Sequence, residues 1–183
     1  KYVLLLGDSS YDPRNFTGRD KGAPLPAQWA KTSYLWTPSD PTLGAINGED
    51  LLPDVAVGRL PARTLAEAEA LVQKVLDWEG QDLEGTAVLG ADNPDIAGDF
   101  EADVLDIRTS FLADRATRTL FLRELGASTR PEILSSFDDG ASLMSYVGHG
   151  GGAVWASENV LNSWDPPKLM AQSEQPLMLT FNC

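Results

Sequence analysis

Short apolar runs alternate with helix-spaced segments along most of the chain. Tyr2-Val-Leu-Leu-Leu6 is a continuous apolar run closed by Gly7-Asp8, the pattern of a fully buried parallel strand followed by a turn. Asp54-Val-Ala-Val-Gly58 gives a second short strand, turning at Arg59-Leu-Pro61. Thr64-Leu-Ala-Glu67 reads as a capping box, in which the Thr hydroxyl accepts from the backbone N–H three residues on and Glu67 reaches back. Leu65, Ala68, Leu71, Val72, Val75 and Leu76 then recur at helical spacing, and Gly80 stands where a helix C′ residue would. Residues 86–89 form a third strand that opens into the loop formers Gly90-Ala-Asp92-Asn93-Pro94. Asp99 suits the N-cap of a helix carrying Phe100, Val104, Ile107 and Phe111 on one face. Residues 117–122 form a fourth strand. Thr129-Arg-Pro131-Glu132 is another capping signature, with Pro tolerated in the first turn, opening a short helix with Ile133, Leu134 and Phe137 inward, stopped by Asp138-Asp-Gly140. Apolar runs at 141–147 and 177–181 close the series, and Asp165-Pro-Pro-Lys168 starts a short helix toward Gln172 between them.

Strands alternating with helices predict an α/β fold: a mainly parallel sheet with helices on both faces, in three layers, αβα. The exception is the stretch from about residue 8 to 50, rich in Pro, Gly, Asp, Asn and Thr, with aromatics at Tyr11, Phe16, Trp29, Tyr34 and Trp36. So long an irregular segment is often functional; a short hairpin is expected near Tyr34 to Trp36. At 183 residues, one domain is the expected count.

Composition narrows the function classes. No run of about 18 apolar residues exists, which excludes a membrane-spanning helix. A net charge of −13 argues against nucleic acid, whose backbone is bound by clustered Lys and Arg. The acidic residues recur in loops, at 8–20, 92–99 and 138–139. They are open to three readings: a solvated surface, Ca²⁺ ligation or attraction of cationic substrates. The single cysteine excludes an internal disulfide and leaves a free thiol for packing or reactivity. Because the chain begins inside a strand pattern and stops on that cysteine, it is expected to be the N-terminal part of a longer catalytic domain, truncated after the strand leading to Cys183.

The only histidine and the only cysteine occupy equivalent places. His149 lies in Gly148-His149-Gly150-Gly151-Gly152, just past the run 141–147, and Cys183 lies just past the run 177–181. In open α/β sheets the carboxyl ends of the strands are where chemistry sits. A thiol nucleophile needs thiolate character and a proton-transfer partner, and His149 is the only imidazole available. The flanking glycines permit tight turns and leave backbone N–H groups free to face an oxyanion.

Apolar strand, His-Gly, second apolar strand, Cys resembles the caspase-like cysteine peptidases, and the surrounding blocks are similar to the gingipain family. The matching residues are Ala141-Ser-Leu-Met-Ser-Tyr-Val-Gly-His-Gly150, Trp155, and 177–183. Upstream, Pro53-Asp-Val-Ala-Val-Gly-Arg-Leu-Pro61, the Glu-rich helix ending Trp78-Glu79, and Tyr2-Val-Leu-Leu-Leu-Gly-Asp8 also match. The resemblance implies a caspase/gingipain-like fold and a cysteine endopeptidase. In it Cys183 is the nucleophile, His149 the acid/base, and the backbone N–H groups of Gly150 and Cys183 the oxyanion hole. Asp92 takes the place of the acidic residue behind the histidine, and Asp103 that of the acid in a pocket for Arg or Lys, with Asp99 and Glu101 as register alternatives. Trp155 either walls the substrate cleft or packs in the core. The resemblance further implies polypeptide substrates, no cofactor for catalysis, structural Ca²⁺ as an option, and a secreted or cell-surface bacterial protein. The missing C-terminal part of the same protein is an expected partner.

Two rival readings start from other residues. Leu6-Gly7-Asp8-Ser9 resembles an esterase nucleophile turn at Ser9, and His149-Gly-Gly-Gly152 resembles a lipase oxyanion loop. Tyr146 stands where the first class has Asp three residues before its histidine, and no Gly-x-Ser-x-Gly elbow is present for the second. A non-catalytic gingipain-like binding or secretion domain is the other alternative; the presence of both Cys183 and His149 argues against it.

Overall fold

The computed structural model describes residues 1–10, 12–18, 25–33, 35–48, 50, 52–80, 84–166, 169 and 175–182. It divides into two compact units, Lys1–Glu79 and Gly80–Cys183.

In the first unit, β1 (Tyr2–Leu6) is followed by the antiparallel hairpin of β2 (Trp29–Lys31) and β3 (Trp36–Pro38). The hairpin lies where the aromatic cluster suggested; Tyr34 is outside the described residues. Strand β4 (Ala56–Leu60) runs parallel to β1, Tyr2 opposite Ala56 through Leu6 opposite Leu60. Arg59 ties the irregular segment to the pair: its guanidinium takes both oxygens of Asp40 at 2.7 Å and donates to the Gly7 carbonyl at 2.7 Å. Helix α1 (Leu65–Glu79) has the expected cap, with the Thr64 hydroxyl accepting from Glu67 N at 3.2 Å and the Glu67 carboxylate accepting from Arg63 N at 2.7 Å.

Burial departs from expectation in this unit. Tyr2 is 89% exposed, Leu4 and Leu6 are exposed too, and α1 buries none of its residues. An apolar run marks a face able to be covered. Among the described residues β4 is its one sheet partner, so β1 stands at an edge here, where its pattern suggests an interior strand.

The second unit holds β5 (Ala87–Ala91), α2 (Phe100–Phe111), β6 (Thr117–Phe121), α3 (Leu122–Leu125), α4 (Thr129–Asp138), β7 (Leu143–Val147), the short antiparallel pair β8 (Val154–Trp155) and β9 (Leu161–Asn162), and β10 (Leu177–Phe181). Four of these strands form a parallel sheet in the order β10-β7-β5-β6. Side chains alternate across it, as the period of two requires. Val88, Leu120, Met144 and Tyr146 pack on one face with Leu122 and with Ile133 of α4. Leu89, Ala91, Phe121 and Val147 pack on the other with Val104, Phe100 and Ile107 of α2. Helices therefore cover both faces, as the alternation of elements predicts.

Local differences have physical causes. Strand β5 runs two residues past its predicted end, because Gly90 and Ala91 are laddered on both sides, to Tyr146 and Val147 and to Leu120 and Phe121. Asp99 caps α2, accepting from Ala102 N at 3.1 Å, but Phe111 is exposed and Leu112 packs inward instead. Thr129 is not a cap. A 3-10 turn over Gly126–Ser128 feeds α4, so the chain is already helical when it reaches Thr129, whose buried hydroxyl has no hydrogen-bond partner among the described residues. The short helix expected from Asp165 falls largely on positions outside the described residues.

All four parallel strands end at one level. Ala91 is opposite both Phe121 and Val147, and Val147 is opposite Phe181. Asp92, Leu122, Gly148 and Asn182 thus leave the sheet along a single carboxyl edge. No helix of the described residues is long and apolar enough to cross a membrane.

Candidate active site

The ladder continues one step past the strand ends. Gly148 N donates to the Phe181 carbonyl at 3.2 Å, and Asp92 N donates to the Val147 carbonyl at 3.0 Å. Gly148 has φ +154°, and a Cβ there would stand 2.3 Å from Asp92 Cβ. Only glycine lets the chain turn out of the sheet at this point. On the neighbouring strand, Asn182 lies across Gly150, where a Cβ would be 2.5 Å from Asn182 Nδ2. The residues flanking His149 therefore meet the end of the neighbouring strand, Gly148 at Phe181 and Gly150 at Asn182, the residue before Cys183. Cys183 itself lies outside the described residues.

Two carboxylates hold His149 in different ways. Asp92 is 4% exposed and accepts from His149 N at 3.0 Å, from the Tyr146 hydroxyl at 3.3 Å and from Asn93 N at 2.7 Å. It fixes the main chain of the histidine. The imidazole is met by Asp95, whose Oδ2 is 2.8 Å from His149 Nε2. Asp95 opens a tight turn, exchanging two backbone hydrogen bonds with Gly98, while its Oδ1 accepts from Ala97 N at 2.7 Å. That backbone N–H, followed by the His149 contact, holds the Asp95 carboxyl below its usual range. Phe100 meets the imidazole edge-on, with centroids 5.2 Å apart. Asp95 was not singled out in the sequence; its signal is the turn composition Asn93-Pro94-Asp95-Ile-Ala-Gly98, which folds a carboxylate back on itself.

Tyr146 links these parts. Its hydroxyl lies 3.0 Å from the His149 carbonyl, and its ring stacks on Trp155 at 4.7 Å with a 6° interplanar angle. Burial, with the charge of Asp92 added, pushes the phenol well above its ordinary value, so it stays a donor. Trp155 is partly buried against the core. The glycine loop closes through Gly151 N to the Val154 carbonyl and Ala156 N to the His149 carbonyl, both 2.9 Å. These bonds flank Gly150, whose own N–H makes no hydrogen bond among the described residues. Farther along, Asp165, 1% exposed, accepts from Asn162 N at 2.8 Å and from Arg130 at 2.6 Å, fastening the segment to α4.

The three acids considered for a basic pocket separate clearly. Asp99 is committed to the cap of α2, and Glu101 is buried and paired with Arg123. Asp103 is exposed in the first turn of the helix, with no side-chain partner among the described residues. For metals, no three His, Cys, Asp or Glu side chains gather among the described residues. Loop carboxylates serve their own loops instead: Asp12 accepts from Phe16 N and Thr17 N, and Asp54 from Ile46 N and Asn47 N.

Comparison with solved structures gives two gingipain neighbours. The crystal structure of the Arg-specific cysteine proteinase gingipain R (RgpB) matches with a TM-score of 0.71 and 19% identity, over 100% of this chain and 40% of that one. The complex of Porphyromonas gingivalis RgpB pro- and mature domains matches with a TM-score of 0.72 and 19% identity, over 100% of this chain and 41% of that one. The chain thus spans about two fifths of the length of these structures, and their likeness shows the fold to be α/β and gingipain-like. No curated protein sequence matches it. The family model for peptidase family C25 matches residues 1–183. With the whole chain accounted for by that model, on a sheet whose carboxyl edge carries the histidine loop, the protein belongs to peptidase family C25.

Proposed function

We propose that this chain carries the catalytic centre of a cysteine endopeptidase, with Cys183 as nucleophile and His149 as acid/base. The observation that carries the reading is the contact of Asp95 with Nε2 of an imidazole whose flanking glycine packs on Asn182, the residue before Cys183. With Nε2–H donated to Asp95, Nδ1 is the nitrogen left to take the thiol proton. The thiolate attacks the scissile carbonyl; the C–S bond forms and the carbonyl π pair moves onto oxygen. Collapse re-forms the carbonyl, breaks the C–N bond, and passes the proton from His149 to the leaving amine. Water then hydrolyses the thioester.

Asp92 acts by holding the main chain of His149, and the unengaged N–H of Gly150 suits an oxyanion donor, together with that of Cys183. Asp103 is the acid available to a basic side chain before the cleaved bond, so cleavage after Arg or Lys is the specificity proposed. Trp155 supports the loop through its stack on Tyr146. In the longer protein the segment beyond Cys183 completes the pocket, and a secreted or surface location on a bacterium goes with the reading.

The test uses the full-length protein on peptides with Arg, Lys or a neutral residue before the scissile bond, together with an arginyl chloromethyl ketone. Hydrolysis lost in Cys183→Ala and in His149→Ala, with the label on Cys183, is expected. Hydrolysis retained by Cys183→Ala overturns the reading, and its loss in Ser9→Ala but not in Cys183→Ala would favour the esterase alternative.

A further inference from the structure

We propose that the side-chain amide of Asn182 is a third donor to the oxyanion, beside the backbone N–H groups; this rests on the cysteine peptidase reading. The position of Asn182 is unusual for a solvent-exposed side chain. It lies so close over Gly150 that a Cβ there would be 2.5 Å from Nδ2, 2.9 Å from Cγ and 3.1 Å from Asn182 Cβ. Nδ2 is thereby held beside the Cα of Gly150, one covalent bond from the N–H proposed as a donor. The carbonyl carbon of Asn182 is itself bonded to the nitrogen of Cys183, the other proposed donor. The amide thus lies beside one proposed donor and belongs to the residue that precedes the other in the chain.

Its hydrogen-bonding capacity is unspent: neither the NH₂ group nor the oxygen of Asn182 has a partner among the described residues. The backbone on either side is fixed, by Gly148 N on the Phe181 carbonyl and by the 2.9 Å bonds of Gly151 N and Ala156 N. A donor held by a fixed frame, and not engaged by another side chain or backbone group among the described residues, suits stabilisation of a charge that appears only in the transition state. During attack by Cys183, the electron pair leaving the carbonyl double bond collects on oxygen. Nδ2–H donates to that oxygen, and the bond weakens when the C–N bond breaks and the carbonyl re-forms. No proton is transferred from Asn182.

The experiment uses full-length protein with Asn182→Ala and Asn182→Asp. Asp keeps the shape that packs on Gly150 and replaces the donor by an acceptor. Three readouts separate the roles: kcat and KM on a cleaved peptide, affinity for a peptide aldehyde whose thiol adduct carries the tetrahedral oxygen, and the rate of Cys183 alkylation by iodoacetamide, which forms no oxyanion. We expect kcat and aldehyde affinity to fall about 10²-fold in Asn182→Ala and further in Asn182→Asp, with KM and alkylation unchanged. Asn182→Asp performing like wild type on both substrate and aldehyde overturns the donor role and leaves packing. Equal loss of alkylation and hydrolysis in both variants also overturns it, since Asn182 then serves the thiol rather than the oxygen. A wild-type protein that neither alkylates nor hydrolyses removes the peptidase reading itself, and this proposal with it.

Discussion

Asp95 Oδ2 meets His149 Nε2 at 2.8 Å, while Asp92, three residues earlier, holds the same histidine by its backbone N–H at 3.0 Å. One loop therefore supplies two carboxylates to one residue, the buried one to the main chain and the exposed one to the ring. Substitution separates them. Asp95→Asn keeps the fold and lowers kcat on a peptide about 10²-fold, since the ring loses its charge partner and tautomer preference. Asp92→Ala leaves buried donors unpaired and lowers unfolding free energy by about 1–3 kcal/mol, read by urea denaturation.

The contact of Asp95 with the single histidine is open to test through the carboxyl group's own NMR signal. Asp95 has its folded pKa lowered, first by Ala97 N–H and then by His149. A depressed carboxylate pKa means that the contribution is fully present above the unfolded value and is lost as pH falls through the folded one. The carboxyl carbon signal of Asp95 is therefore expected to keep its ionised shift as pH falls through the ordinary carboxylate range, and to change only below it. Asp95→Asn removes that behaviour. A midpoint for the change at the ordinary Asp value would contradict the assignment.

Gly148 is the tightest point of the site. Gly148→Ala places a methyl 2.3 Å from Asp92 Cβ, on a backbone at φ +154°. A loss of at least about 2 kcal/mol in unfolding free energy is expected, since strain and overpacking add. Gly152→Ala is the control: a Cβ there meets nothing within 4 Å, and stability close to wild type is expected.

Asp165 is 1% exposed and receives Arg130 at 2.6 Å. Arg130→Met removes the cation from a buried carboxylate that still accepts from Asn162 N. Because Arg130 is itself partly exposed, the expected cost is about 2–3 kcal/mol, at the low end for a broken buried pair. Limited proteolysis of the 153–166 segment should rise in step with the lost stability.

The sheet of the second unit was legible because buried parallel strands leave continuous apolar runs, and the runs ending at Val147 and Phe181 put the histidine loop beside Asn182. The acid at the ring was not. Whether Asp92 or Asp95 meets the imidazole depends on the two-residue turn at Ile96-Ala97, which brings the later carboxylate back over the ring. Burial in the first unit was also unreadable from pattern. The spacing of Leu65, Val72, Val75 and Leu76 marks a helix face, but periodicity carries no information on whether a neighbour covers it.

The in-register pairing of Val147 with Phe181 turns strand length into a ruler for the chemistry. One residue added to either strand would slide its end by about 3.3 Å and turn the following side chains to the opposite face. The residues from Ala153 to Asp165 are held differently, by the β8–β9 pair and by the tie of Asp165 to Arg130 rather than by that ladder, so a change in the length of the connection is expected to leave the level strand ends in place.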